Sequence, residues 1–129
     1  MAHGVFVTAI TCMDGRVQQP VSDWMRATFG ADYVDTITEP GPDGLLADDN
    51  PAVIESIRHR SEISVKGHGS RVLAIVAHHD CAGNPVQKQQ HLVQLERAVV
   101  KVRSWGLPAK IVTLWVGEDW KVQPIARIE

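Results

Sequence analysis

The 129-residue sequence is short of three things, and each shortage removes a class of function. It has only two cysteines, Cys12 and Cys81, 69 positions apart, and its amino terminus reads as lacking an export signal. A disulfide framework of the kind that staples small secreted domains is therefore not expected. Charge of either sign is not in excess: 13 Lys and Arg stand against 15 Asp and Glu, for a formal net charge of -2, and the basic residues are scattered. That balance excludes the electrostatic footprint of a nucleic-acid binder. Long apolar runs are also missing. Val5 to Ile10 is too short for a signal-peptide core or a membrane span, and Met1 to Gly4 carries no Lys or Arg. The expectation is a soluble, cytoplasmic chain that forms one domain over residues 1–129, with no nucleic-acid or membrane partner.

What is present is an alternation of β-branched runs and helical patterns, the signature of an α/β chain with a mainly parallel sheet. Strands are expected near Val5 to Thr11, Tyr33 to Thr38, Val72 to Ala77 and Lys110 to Val116. V-F-V-T-A-I-T, V-L-A-I-V-A and I-V-T-L-W-V show little strict alternation, which suits strands covered on both faces. A possible fifth, antiparallel edge strand falls near Lys121 to Arg127, where Pro124 cannot donate a ladder bond. The predicted fold is a three-layer α/β sandwich around a four-stranded parallel sheet plus that edge strand.

Helices are expected from Pro20 to before Gly30, after the Asn50 cap and Pro51, and from about Val86 to Trp105. Leu92, Leu95, Val99 and Val102 make the last of these the clearest. Glu39 to Asn50, rich in Pro, Gly and Asp, reads as a loop, and Gly67 to Gly69 as a turn without the Lys-Ser/Thr of a phosphate loop. The four tryptophans fall on apolar patterns and read as core or interface residues.

Both cysteines sit in short polar islands at strand ends: T-C-M-D-G-R-V at Thr11 to Val17 and H-H-D-C-A-G at His78 to Gly83. The thiols could be buried core residues, a pair, or ligands. In an open parallel sheet, ligands bind outside the carboxyl ends of strands where successive connections diverge. If the second strand flanks the first on one side and the third on the other, both islands line one crevice. Cys12, His78 and Cys81 then offer a zinc ion two thiolates and an imidazole, which leaves one tetrahedral position for water or substrate. His79 should point to the opposite face, and His3, His59, His68 and His91 read as surface residues. Asp14, two residues past Cys12, could take the fourth zinc position itself, or be held back by Arg16 and accept a hydrogen bond there. A thiol-phosphatase loop is excluded by spacing, since it needs five residues between cysteine and arginine and this chain has three.

C-M-D-G-R and H-H-D-C-A-G together, in this order and at the ends of the first and third strands, resemble the paired motifs of the beta-class carbonic anhydrases. The resemblance extends over the layout from Val5 to about Ile128, with W-V-G-E-D-W-K-V-Q-P-I similar to the family's last hairpin. It implies zinc on Cys12, His78 and Cys81, an Asp14–Arg16 dyad gating the fourth site, carbon dioxide as the small-molecule substrate attacked by metal-bound hydroxide, and a homo-oligomer, in the family a dimer. Relatives with the same ligands hydrolyse carbonyl sulfide or carbon disulfide, and permanent closure by Asp14 would give a non-catalytic zinc protein. The chain departs from the family in three places. T-E-P-G-P-D stands where R-N-A-G-N is common, Ala82 where a Gly usually follows the second cysteine, and the first strand comes without the family's amino-terminal helical arm.

Overall fold

The computed structural model describes residues 3–128. Its sheet has the order β2-β1-β3-β4-β5, with β1 (Phe6–Cys12), β2 (Tyr33–Glu39), β3 (Val72–His78) and β4 (Lys110–Val116) parallel and β5 (Val122–Ile128) antiparallel to β4. β1, β3 and β4 are each buried at every position after the first, as the unbroken apolar runs require. β2, at one edge, mixes exposed and half-buried positions. At the other edge Pro124 sits opposite Leu114, where the β4–β5 register shifts, so its missing N–H falls at an irregularity of the ladder.

Helices cover both faces and make three layers. α1 (Gly15–Phe29) packs Val17, Val21 and Met25 on Val7, Ala9, Ala74, Val76, Val112 and Leu114. On the opposite face α2 (Pro42–Ala47), α3 (Pro51–Glu62) and α4 (Lys88–Arg103) bury Leu46, Ile57, Leu95, Val99 and Val102 against Ile10, Leu73, Ile75, Ile111 and Trp115. β1 sends its connection to one face and β3 to the other. The crevice expected at the carboxyl ends of these two adjacent strands is therefore there.

Three expectations need correction. α1 begins at Gly15 rather than Pro20: Asp14 is its cap, accepting the Arg16 N–H at 2.9 Å, and Pro20 lies inside the helix. A strong side-chain cap outweighs the proline start signal when the proline lies only one turn further on. The Glu39 to Asn50 segment is not all loop, since Pro42 at the first turn starts the short helix α2 after Gly41, which holds φ 64°. His91 is not a surface residue. It is 1 % exposed on the inner face of α4, where Nδ1 meets the buried Asp43 carboxylate of α2 at 2.6 Å. That carboxylate supplies the polar partner burial demands, and no local pattern displays it.

Elsewhere the boundaries shift by one or two residues. The Gly67 to Gly69 turn follows a π-helical segment, Ile63–Gly67, that ends α3. It builds a polar network at the amino-terminal half of the sheet. Ser64 Oγ lies 2.6 Å from Thr8 Oγ1 and donates to Asp35 Oδ2 at 2.7 Å, the His68 ring meets the same oxygen at 2.6 Å, and Thr8 Oγ1 donates to Ser70 Oγ at 2.8 Å. No helix among the described residues is long and apolar enough to cross a membrane.

Candidate metal centre

Cys12 is the last residue of β1 and His78 the last of β3, and both remain buried because the flanking strands and helices cover them. Cys81 returns to the same point three residues later. The return depends on Asp80, whose φ of 57° turns the chain in the left-handed region, where Asp is tolerated better than most residues. Cys12, His78 and Cys81 place their ligand atoms within 4.8 Å of one another, and this is the one such group among the described residues. The two sulfurs are 3.8 Å apart, far beyond disulfide length.

The donor set is poorly satisfied by the protein alone. His78 Nδ1 lies 2.7 Å from the carbonyl of His79 and must donate to it, since a carbonyl only accepts. Nε2 is then left with a bare lone pair, buried and without a hydrogen-bond partner. Burial, together with the Cys12 thiol beside it, pushes the Cys81 thiol up to about 11. The unpaired imidazole nitrogen is costly in isolation, whereas the two neutral thiols, within hydrogen-bond distance of each other, tolerate burial. A soft cation reverses the cost, because it ionises the thiols and accepts the lone pair. These three residues could hold a metal ion.

Asp14 stands outside this group. Its Oδ1 accepts the Arg16 backbone N–H at 2.9 Å and Nε–H at 3.1 Å, and its Oδ2 accepts Nη2–H at 2.7 Å. The Arg16 guanidinium holds the Asp14 carboxyl down at about 2, and the carboxylate in turn pushes Arg16 up. Arg16 also reaches Asp80 and lies over the Trp120 ring, two contacts the sequence did not announce. His79 is exposed. With Asp80, Cys81, Pro85, Lys88 and Trp115 it lines a groove of roughly 490 Å³ beside the second thiol.

The odd loop sequences interlock behind the site. A Cβ on Gly83 would lie 2.8 Å from the Pro40 carbonyl carbon, and one on Gly41 2.5 Å from Asn84 Cβ. E-P-G and A-G-N are thus backbone-to-backbone contacts that need glycine at both positions. The displaced glycine after Cys81 and the altered loop after β2 are one packing solution.

A doubly wound α/β fold with a Cys–His–Cys donor set at its switch point, flanked by an Asp–Arg pair, defines an α/β protein with a candidate metal centre. The chain belongs to the family described as "Putative carbonic anhydrase", whose model matches residues 2–126. Solved structures similar to it include beta-carbonic anhydrase isoform I from the protozoan Trichomonas vaginalis, at 17% identity and TM-score 0.57 over 93% of this chain and 82% of that one. Tetrameric beta-carbonic anhydrases from the ascomycete Sordaria macrospora match at 10% identity and TM-score 0.53, over 95% and 82% of the two chains. The enzyme CafA of Aspergillus fumigatus matches at 14% and 0.52, over 99% and 78%. At such identities the likeness is one of fold. No curated protein sequence matches the chain.

Proposed function

We propose that this protein is a zinc enzyme that hydrates carbon dioxide to bicarbonate, with Cys12, His78 and Cys81 holding the ion and Asp14 and Arg16 governing the remaining position. The observation that carries the reading is the convergence of the three donors. Zinc–sulfur bonds of about 2.3 Å in a tetrahedron set two sulfurs roughly 3.8 Å apart. The two sulfurs here stand at that separation, 3.8 Å. Two thiolates neutralise much of the zinc charge, and a hydrogen bond accepted by Asp14, with Arg16 holding it, is the compensation.

When bound, zinc would supply the Lewis acid that activates water near neutral pH. The chain's own residues supply the rest. Asp14, ionised at any working pH, is an acceptor only, and Arg16 leaves it lone pairs to take a hydrogen bond from the incoming water. Arg16 fixes the orientation of that acceptor by two side-chain bonds. The non-catalytic alternative requires Asp14 among the metal donors, and both of its oxygens are engaged by Arg16 instead. The Sordaria macrospora structures are described as tetrameric, and we extend the reading to a homo-oligomer.

Stopped-flow hydration by zinc-loaded protein across roughly pH 7 to 9 is the direct test. A rate clearly above buffer, lost in Cys12→Ser, is expected. No rate above buffer rejects carbon dioxide as substrate, and release of sulfide from carbonyl sulfide by the same sample would then favour the related hydrolase.

A further inference from the structure

Among the described residues only two other than glycine have positive φ, Asp80 at 57° and Trp120 at 58°. Both touch the same guanidinium. Arg16 Nη1–H donates to Asp80 Oδ2 at 3.2 Å and Nη2–H to the Asp80 carbonyl at 3.1 Å, while the Trp120 ring centroid lies 4.3 Å from Arg16 Cζ. With the two side-chain bonds to Asp14, four donor contacts and one aromatic face fix a side chain that is otherwise half exposed.

Trp120 is the more telling of the two. It closes the β4–β5 turn, with its N–H on the Gly117 carbonyl at 2.9 Å and the Lys121 N–H on Asp119 Oδ1 at 3.1 Å. A type I turn followed by a left-handed residue is a common three-residue hairpin loop, and the left-handed place is ordinarily glycine. A bulky side chain there is a backbone outlier. Strain of this kind persists where the surroundings enforce it, and it concentrates at functional sites. Here the unfavourable place puts an indole under Arg16, where a glycine could not.

We propose that Trp120, with Asp80 opposite it, is a positioning residue: the two clamp Arg16 so that it engages both Asp14 oxygens, and so keep Asp14 from entering the metal donor set. The inference rests on the metal reading above for its consequence, and on the Arg16 contacts alone for the clamp. Without the indole face, Arg16 exchanges its partners for water and Asp14 is released toward Cys12, two residues away. Asp14 then competes with any exogenous ligand for the fourth position.

The test uses two readouts. In metal-free protein the Arg16 Nε–H resonance is expected to be slowly exchanging and shifted by the indole ring current, to persist in Trp120→Phe, and to be lost in Trp120→Leu. In the cobalt-substituted protein, thiocyanate affinity is read from the visible d–d bands. Trp120→Leu is expected to bind thiocyanate about tenfold more weakly, the scale of one partly desolvated cation–π contact, with Trp120→Phe close to the parent. Trp120→Gly, which suits the turn, should show the same loss without destabilising the hairpin. Adding Asp14→Asn to Trp120→Leu removes the competitor and should restore binding.

Unchanged thiocyanate affinity in Trp120→Leu overturns the proposal. So does a loss that Asp14→Asn fails to restore, because Trp120 would then be supporting His78, whose ring lies 6.2 Å away. If the parent takes up no cobalt or zinc, the metal reading falls instead. The Nε–H spectra then decide the clamp: loss of the shifted signal in Trp120→Leu supports it, and identical spectra overturn it.

Discussion

Two polar clusters, one partly and one fully buried, sit toward opposite ends of the same sheet, and they are built on opposite principles. Toward the amino end, Thr8, Asp35, Ser64, His68 and Ser70 answer one another, each hydroxyl and the His68 Nδ1 closing on a neighbour within 2.8 Å. At the carboxyl end, Cys12, His78 and Cys81 converge on a common point, and His78 Nε2 has no partner among the described residues. A network that closes on itself contributes to folding. One that leaves soft donors facing each other needs a third body, and that distinction marks the site more surely than burial or charge does.

The strongest way to break this comparison is to remove one member from each cluster. Cys81→Ser should reduce zinc content from one per chain to near none. It should also abolish the stabilisation that saturating zinc gives the parent, about 4 kcal/mol at a thousandfold excess over the dissociation constant. Ser64→Ala should keep its zinc and lose about 1–2 kcal/mol with or without metal. Elemental analysis and denaturant melts with and without chelator measure both. If Ser64→Ala lost its metal, or Cys81→Ser kept it, the two ends would not differ as argued.

His91 sharpens the contrast, because its Nε2 is also buried and unpartnered. Its Nδ1 is held by Asp43, its ring packs against Trp115 with centroids 5.4 Å apart, and among the described residues it joins no group of three metal-ligating side chains. An orphaned nitrogen alone is therefore not a metal site, and the pair reads as a clasp between α2 and α4. Asp43→Ala should cost about 3 kcal/mol, since it strands a buried imidazole, while zinc content stays at the parent value. Replacing both residues with leucine should recover most of that loss in urea melts.

The comparison also explains what the sequence could and could not tell. The carboxyl-end cluster was legible because its members end strands: V-F-V-T-A-I-T-C and V-L-A-I-V-A-H place Cys12 and His78 side by side once the strand order is known, and H-x-x-C brings Cys81 back. The amino-end network was invisible, because it joins single residues of β1, β2 and the π-helical segment whose local patterns are ordinary. The burial of His91 is hidden for the same reason, as its carboxylate partner lies 48 residues away. The start of α1 is hidden because Asp14, whose carboxylate suits the chemistry of the site, is also the helix cap. Trp120 left one faint trace, a bulky residue in E-D-W-K where a tight hairpin turn would favour glycine.

The smallest expected effect concerns that double use of Asp14. Arg16 lowers its pKa from the ordinary 3.8 to about 2, so its native value lies below that of the unfolded chain. The pair's contribution to stability is then complete above the unfolded value and fades as the pH falls through the window between about 4 and about 2. Arg16 is half exposed, so this contribution is slight and will be seen in the titration before it is seen in a melt. In metal-free protein, the carbon-13 shift of the Asp14 carboxyl should titrate near the low end of that window. Arg16→Ala should move the midpoint up toward 4, while the Asp14 cap bond to the backbone of residue 16 keeps part of the depression. A parent midpoint already near 4 would mean that Arg16 does not hold Asp14 in solution. The carboxyl-end cluster would then have no guard on its fourth position, and the two ends of the sheet would differ in their donors alone.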